Sequence, residues 1–275
     1  MPDRLARLGQ SALAALFGEP CLLCREPVNR QDPVPGLCRH CLSQLPWRSD
    51  FRLQWPEDAF RDLFDPFASD CDPAAAHRVR ANCIMAACHY QPPINKGLLA
   101  LKFGDASEWQ RPLASILNLT LQRADLASFD AVVAVPLHPL RLKSRGYNQA
   151  GLLAAVLARQ LDLPDWSVWL ERTRETRRQS EQASRADRLV NLAGAFRWSG
   201  PDCLRQARLL LVDDVLTTGA TLAAAAEPLF RRQSHVTGLV VASDHAANPG
   251  ETRATRQHKF TNLTAGSQIS CHKVY

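Results

Sequence analysis

The stretch Leu209-Leu-Leu-Val-Asp-Asp-Val-Leu-Thr-Thr-Gly-Ala-Thr221 constrains the fold more than any other part of the sequence. Its four leading apolar residues read as a strand covered on both faces, as in a parallel sheet. Two adjacent carboxylates, Asp213 and Asp214, follow where that strand should end, and Thr217, Thr218, Gly219, Ala220 and Thr221 then open a helix. In an open parallel sheet ligands bind beyond the carboxyl ends of the strands, so this turn is where a site belongs. Helix-start N–H groups, three threonine hydroxyls and the helix dipole together suit a phosphate dianion, and Gly219 lets the backbone come close to it. The acids repel that phosphate. They suit the hydroxyls of a sugar, or the water shell of a divalent cation, lying beside it. A sugar monophosphate with its ring diol against both aspartates satisfies the two halves. Neither G-x-x-x-x-G-K-[ST] nor G-x-G-x-x-G occurs, which excludes a nucleotide-hydrolysing P-loop and a dinucleotide fold.

The surrounding sequence carries the same architecture. Strands are expected over residues 83–90, 131–135, 168–170, 209–212 and 236–242, and helices over 94–103, 112–123, 147–161 and 218–232, with Pro228 kinking the last helix or shortening its first part. Strands alternating with helices mean an α/β fold, a parallel sheet flanked by helices on both faces. At 275 residues the chain is long enough for two domains. We divide it into an N-terminal amphipathic helix with a cysteine-rich lobe (1–45), a connecting segment (46–82), the α/β domain (83–244) and a loose polar tail (245–275). Trp47, Phe51, Trp55, Phe60, Phe64 and Phe67 pack the connecting segment onto its neighbours. No apolar run approaches the length of a membrane span.

Four of the nine cysteines form two tight pairs, Cys21-Leu-Leu-Cys24 and Cys38-Arg-His-Cys41. Two residues between cysteines let both thiolates point at one metal from a single turn, and a second such pair completes a tetrahedral shell that suits zinc. The proline-rich arm between the pairs reads as a zinc ribbon. A shell of four thiolates with no open position is structural, stabilising a lobe too poor in apolar residues to fold alone. The alternative is two disulfides, which need an oxidising compartment. His40 is a bystander. Cys83 and Cys88 read as buried thiols, and Cys71 with His77 and His89 has too loose a spacing for a second site.

The formal net charge is +6, and only five of the 33 cations are lysine. Arginine grips phosphate in a fork, so this balance fits an enzyme of phosphorylated substrates or a weak nucleic-acid binder. It equally fits an arginine-rich surface with no special partner.

The stretch Leu209–Thr221 resembles the 5-phosphoribosyl-1-diphosphate (PRPP) binding motif of type I phosphoribosyltransferases. With the cysteine pairs, Leu101-Lys-Phe-Gly-Asp105, the run from Val135 to Gln149 that ends Arg145-Gly-Tyr-Asn-Gln149, and the segment from Arg172 through Thr176, Gln179, Arg185 and Arg188 to Asn191, the chain to about residue 243 resembles the ComF/GntX family. This resemblance implies a type I phosphoribosyltransferase fold with a zinc ribbon, linked to competence and DNA utilisation. It implies PRPP with Mg²⁺ as ligands, structural Zn²⁺ on Cys21, Cys24, Cys38 and Cys41, and a nucleobase or related amine as acceptor, in a glycosyltransferase reaction of nucleoside metabolism. Asp213 and Asp214 become the catalytic pair. Thr217–Thr221 hold the 5-phosphate, and Leu137, His138 and Arg141 hold the diphosphate. Lys102, Arg145, Tyr147, Asn148 and Gln149 line the cleft. Thr176, Gln179, Arg185 and Asn191 belong to a mobile loop that closes over it. A cytoplasmic setting follows from the substrate. The other reading is a non-catalytic adaptor of DNA uptake that contacts DNA or a competence ATPase or helicase; an oligomer fits either one. The sequence departs from the family at its end, where Ala-Ser-Asp-His follows Val241 in place of an expected arginine.

Overall fold

The computed structural model describes residues 19–53, 55, 83–103, 106–124, 128–174, 192 and 194–245. The N-terminal helix, most of the connecting segment, the loop residues Thr176, Gln179, Arg185 and Asn191, and the tail beyond His245 lie outside these.

The core is a five-stranded sheet in the order β1-β2-β7-β6-β3. Its strands are β1 (Arg52–Leu53), β2 (Ile84–His89), β3 (Ala131–Ala134), β6 (Arg208–Leu216) and β7 (His235–Ser243). β2, β7, β6 and β3 run parallel, and β1 adds an antiparallel edge. A separate antiparallel ribbon joins β4 (Leu170–Arg172) to β5 (Phe196–Trp198). Among the described residues five longer helices accompany the strands: α2 (Ile94–Phe103), α3 (Ala106–Ala124), α4 (Pro139–Arg145), α5 (Gln149–Leu161) and α6 (Ala220–Phe230). A short α1 (Arg39–Ser43) lies in the cysteine lobe. The expected mixed α/β architecture, with a mostly parallel sheet flanked by helices, is the one observed.

Side chains alternate across the strands and so build two cores. Met85, Ala87, Val132, Ala134, Leu210, Val212, Leu239 and Val241 bury against α2, α3, α5 and the cysteine lobe. Ile84, Ala86, Ala131, Val133, Leu209, Leu211 and Val240 bury against α6 and the β4–β5 ribbon. Two-sided burial accounts for the near-continuous apolar runs of these strands.

Several elements differ from expectation, among them α3, which begins at Ala106 and not at 112. β6 does not stop at Val212: it stays paired to β7 through Asp213, Val215 and Leu216, so both acids lie within the strand. The segment ahead of α5 forms α4, which His138 caps and Gly146 ends in the left-handed region at φ +81°. In place of a strand over 168–170, Ser167–Trp169 form a 3₁₀ turn that leads into β4. Pro228 sits in the last turn of α6, and the helix ends two residues later, so the proline marks its end and not its beginning.

Candidate functional site

The cysteine lobe folds around its own thiols. Cys21 opens a turn closed by the Arg25 N–H on its carbonyl at 2.9 Å, and Cys38 caps α1, on whose first turn Cys41 sits. The four Sγ atoms lie within 4.8 Å of one another, with Cys24 and Cys38 at 3.6 Å. Zinc–sulfur bonds of about 2.3 Å put tetrahedral thiolates about 3.8 Å apart, so the cluster fits a structural zinc ion. His40 is not part of it, and all described cysteines are free thiols. Burial works against ionisation of Cys21, but the backbone N–H groups of Cys24, Cys38 and Leu23 outweigh it and hold the thiol at about 6. Burial pushes Cys38 and Cys41 up. Cys88 is fully buried, as expected, and Cys83 is half-buried.

At the carboxyl ends of β3, β6 and β7 a cavity of about 500 Å³ opens. Asp213, Asp214, Thr217, Gly219 and Thr221 line one side of it. Gly219 is the residue that turns the chain from β6 into α6, at φ +78°, in the left-handed region that glycine adopts without strain. Thr218 faces the start of α6, its hydroxyl accepting from the Ala220 N–H at 3.4 Å. Burial first, and then the negative charge of Asp214, hold the Asp213 carboxyl well above the usual carboxylate range. Lys102, at the end of α2, reaches Asp214 at 3.7 Å and also lines the cavity.

The opposite side comes from the β3–α4–α5 connection: Leu137, Arg141, Arg145, Asn148 and Gln149. Asn148 is fixed by donating to the Val135 carbonyl at 3.0 Å, and Gln149 is buried, accepting from Arg145 at 3.3 Å. Two expected residues of this connection stand apart from the lining. His138 caps α4, its Nδ1 accepting from the Leu140 N–H at 3.3 Å. Tyr147 donates to the Leu101 carbonyl at 2.9 Å and braces the connection against α2. Thr218 and Ala220 belong to the turn but do not face the cavity.

Sequence reasoning missed Tyr90, Arg172 and Asp244, which also line the cavity. Arg172 is buried at the end of β4, its guanidinium 5.3 Å from the Phe196 ring centre. Burial, and then the positive charge of Arg141, lower its pKa, while Asp213 opposes them. It stands in the segment that carries the resemblance, which was the available signal. Asp244 directly follows β7 and had no such signal.

An α/β protein with a phosphate-type turn beside two acids at the carboxyl edge of a parallel sheet, and a four-thiol lobe against one face, is the class these features define. No family model matches the chain. Competence protein F of Haemophilus influenzae is 36% identical over 216 residues, covering 75% of this chain and 88% of that one. DNA utilization protein YhgH of Escherichia coli K12 is 36% identical over 152 residues, 54% of this chain and 66% of its own. Competence protein ComFC of Streptococcus pneumoniae is 35% identical over 114 residues, 41% and 46% of the two chains. This chain therefore belongs to the ComF family of competence and DNA utilisation proteins. Among the described residues no helix is long and apolar enough to cross a membrane.

Proposed function

We propose that the cavity binds PRPP and that the protein transfers its phosphoribosyl group to a nucleobase or related amine, releasing pyrophosphate. One observation carries the reading: the twin acids and the threonine turn share a single cavity with Arg141, Arg145, Lys102 and Arg172. A ligand with a sugar between two anionic groups matches that order of charges.

In this reading the turn Thr217–Thr221 takes the 5-phosphate, and Asp213 and Asp214 orient the ribose diol. Arg141 and the Leu137 backbone take the diphosphate, with Lys102, Arg145 and Arg172 adding positive charge. The bond from C1 to the diphosphate breaks with both electrons leaving on the diphosphate. The acceptor nitrogen gives its lone pair to C1 and sheds a proton to solvent. The acids stabilise the positive charge that develops on the ribose, so the protein contributes position and electrostatics and no covalent step. An acid pair with Asp213 held above its usual range is short of positive charge, and hard carboxylate oxygens suit Mg²⁺. Mg²⁺ held by these carboxylates would neutralise charge on the diphosphate. We divide the chain for this purpose at residues 45, 82 and 244, with the zinc lobe structural and the α/β domain carrying the chemistry. A cytoplasmic setting, where thiols stay reduced, suits both metal and substrate.

The test is incubation with PRPP, Mg²⁺ and a panel of nucleobases, following pyrophosphate, with the double variant Asp213→Asn/Asp214→Asn as control. Turnover with one base and its collapse in the double variant is the expected result. Equal pyrophosphate release by both proteins removes the acids from the site.

A second reading is an adaptor that handles DNA in uptake or utilisation, either alone or with a partner ATPase. The names of the relatives, the four-cysteine lobe and the net charge of +6 favour it. It predicts DNA affinity that falls steeply with salt, without pyrophosphate release.

A further inference from the structure

The residues that follow β7, Asp244 and His245, have a use at the phosphate turn. The His245 ring nitrogen Nε2 lies 2.6 Å from the carbonyl oxygen of Thr217, the first residue of that turn. A carbonyl only accepts, so Nε2 carries the proton and His245 donates. One residue earlier, the Asp244 N–H donates to the Leu216 carbonyl at 3.2 Å. Two consecutive carbonyls at the entry to the turn are thus held by two consecutive residues at the end of β7.

His245 is itself fixed through its backbone. Its N–H donates to the Ser243 hydroxyl at 3.2 Å, and its carbonyl accepts from Arg48 Nη1 at 3.0 Å. Arg48 is a fully buried guanidinium that also contacts His89 Nδ1 at 3.1 Å and Asp50 at 2.7 Å. Its N–H bonds the Ala87 carbonyl at 2.9 Å, so the segment leaving the cysteine lobe lies alongside β2. A chain of contacts therefore runs from that segment through Arg48 and His245 to Thr217.

We infer that His245 is a positioning residue that holds the Thr217 carbonyl, and with it the phosphate turn, in its binding geometry, with Arg48 as the anchor behind it. The inference rests on the reading of this turn as the phosphate site. The contact requires a donor at the distance of imidazole Nε2. A glutamine carries its amide nitrogen at that distance from the backbone, and an asparagine does not reach it.

The experiment uses the full chain in four forms: wild type, His245→Ala, His245→Asn and His245→Gln. Hydrogen exchange is read over the peptide containing Thr217–Thr221, and PRPP binding and turnover are read by titration. His245→Ala and His245→Asn should speed exchange in that peptide and weaken PRPP binding about tenfold, the scale of one lost hydrogen bond to a preorganised group. KM should rise more than kcat falls. His245→Gln should restore both readouts. A merely structural role would give a Tm loss that glutamine does not repair and no effect confined to the turn. Exchange and affinity unchanged in His245→Ala would overturn the inference. If the wild type itself ignores PRPP, the reading of the cavity fails while the exchange data still decide whether the clamp exists.

Discussion

Lys102 Nζ stands 3.7 Å from the Asp214 carboxylate, and Asp213 is buried beside that like charge. Asp214 is thus partly compensated, while Asp213 carries the cost of burial beside a like charge. An acid whose pKa is raised in the folded state holds its proton longer than it does in the unfolded chain. The unliganded fold therefore loses stability as pH rises from the ordinary carboxylate range through the raised folded value. Asp213→Asn removes that loss. At neutral pH the variant should melt a few degrees above wild type, and the gap should close toward pH 4. Thermal melts at several pH values check this, and a variant that melts no higher than wild type at pH 7 would sink the idea. The same variant should lose PRPP-dependent turnover.

Arg172 and Arg141 face one cavity from opposite elements, the ribbon and the β3–α4 connection. Two guanidiniums that share a cavity call for an anion between them, and the diphosphate supplies one in the proposed reaction. Arg172→Gln should weaken PRPP binding by about ten- to a hundredfold, the range for a hydrogen bond to a charged group. Because its guanidinium also lies 5.3 Å from the Phe196 ring centre, the variant should lose some packing as well as affinity. Calorimetric titration with PRPP, beside a melt, separates the two effects. Equal affinity in the variant would take Arg172 out of the site.

The sequence already indicates most of this arrangement, and what it hides is non-local. The helix expected over 94–103 is α2 to the residue, because its apolar spacing and its limits are local properties. The cysteine cluster follows from spacing alone. The extension of β6 to Leu216 does not, since its acids join the ladder only through pairing with β7, and a polar residue at a strand end reads as a stop. The ribbon was half missed for a similar reason: β4 and β5 are partners separated by a long stretch of sequence. α4 is different. Its signals, a capping His138, Pro139 in the first turn and Gly146 past the end, are all local and stand in the sequence around a charged run. The role of His245 depends on a backbone carbonyl brought close by the fold, which no residue pattern encodes.

Packing between α2 and α3 sets where Lys102 ends up. A Cβ added to Gly97 in α2 would lie 2.4 Å from Cε3 and 2.5 Å from Cζ3 of Trp109 in α3. Trp109 is buried, and its flat ring has no soft direction in which to give way. Gly97→Ala should therefore destabilise the protein by about 1–3 kcal/mol despite alanine's better helix propensity. Denaturant melts measure this directly. A neutral or stabilising result would mean that the two helices slide apart at little cost.

Among the described residues the cysteine lobe is lean: Cys21, Val34, Leu37, Cys41, Leu42 and Leu45 are its buried apolar residues, and Gly36 lies against Pro112 of α3. So few groups cannot order the segment without further help, and metal ligation supplies it. Protein purified under reducing conditions should hold about one zinc per chain, since one four-thiolate shell binds one ion. Chelation should lower the melting temperature and expose the α3 surface beneath the lobe, and Cys21→Ser or Cys41→Ser should do the same. Protons compete for the thiolates, so retention should weaken as pH falls. Metal analysis after dialysis at a series of pH values gives the curve. If reductants unfold the lobe while chelators leave it intact, the four sulfurs are paired as disulfides and the zinc assignment is wrong.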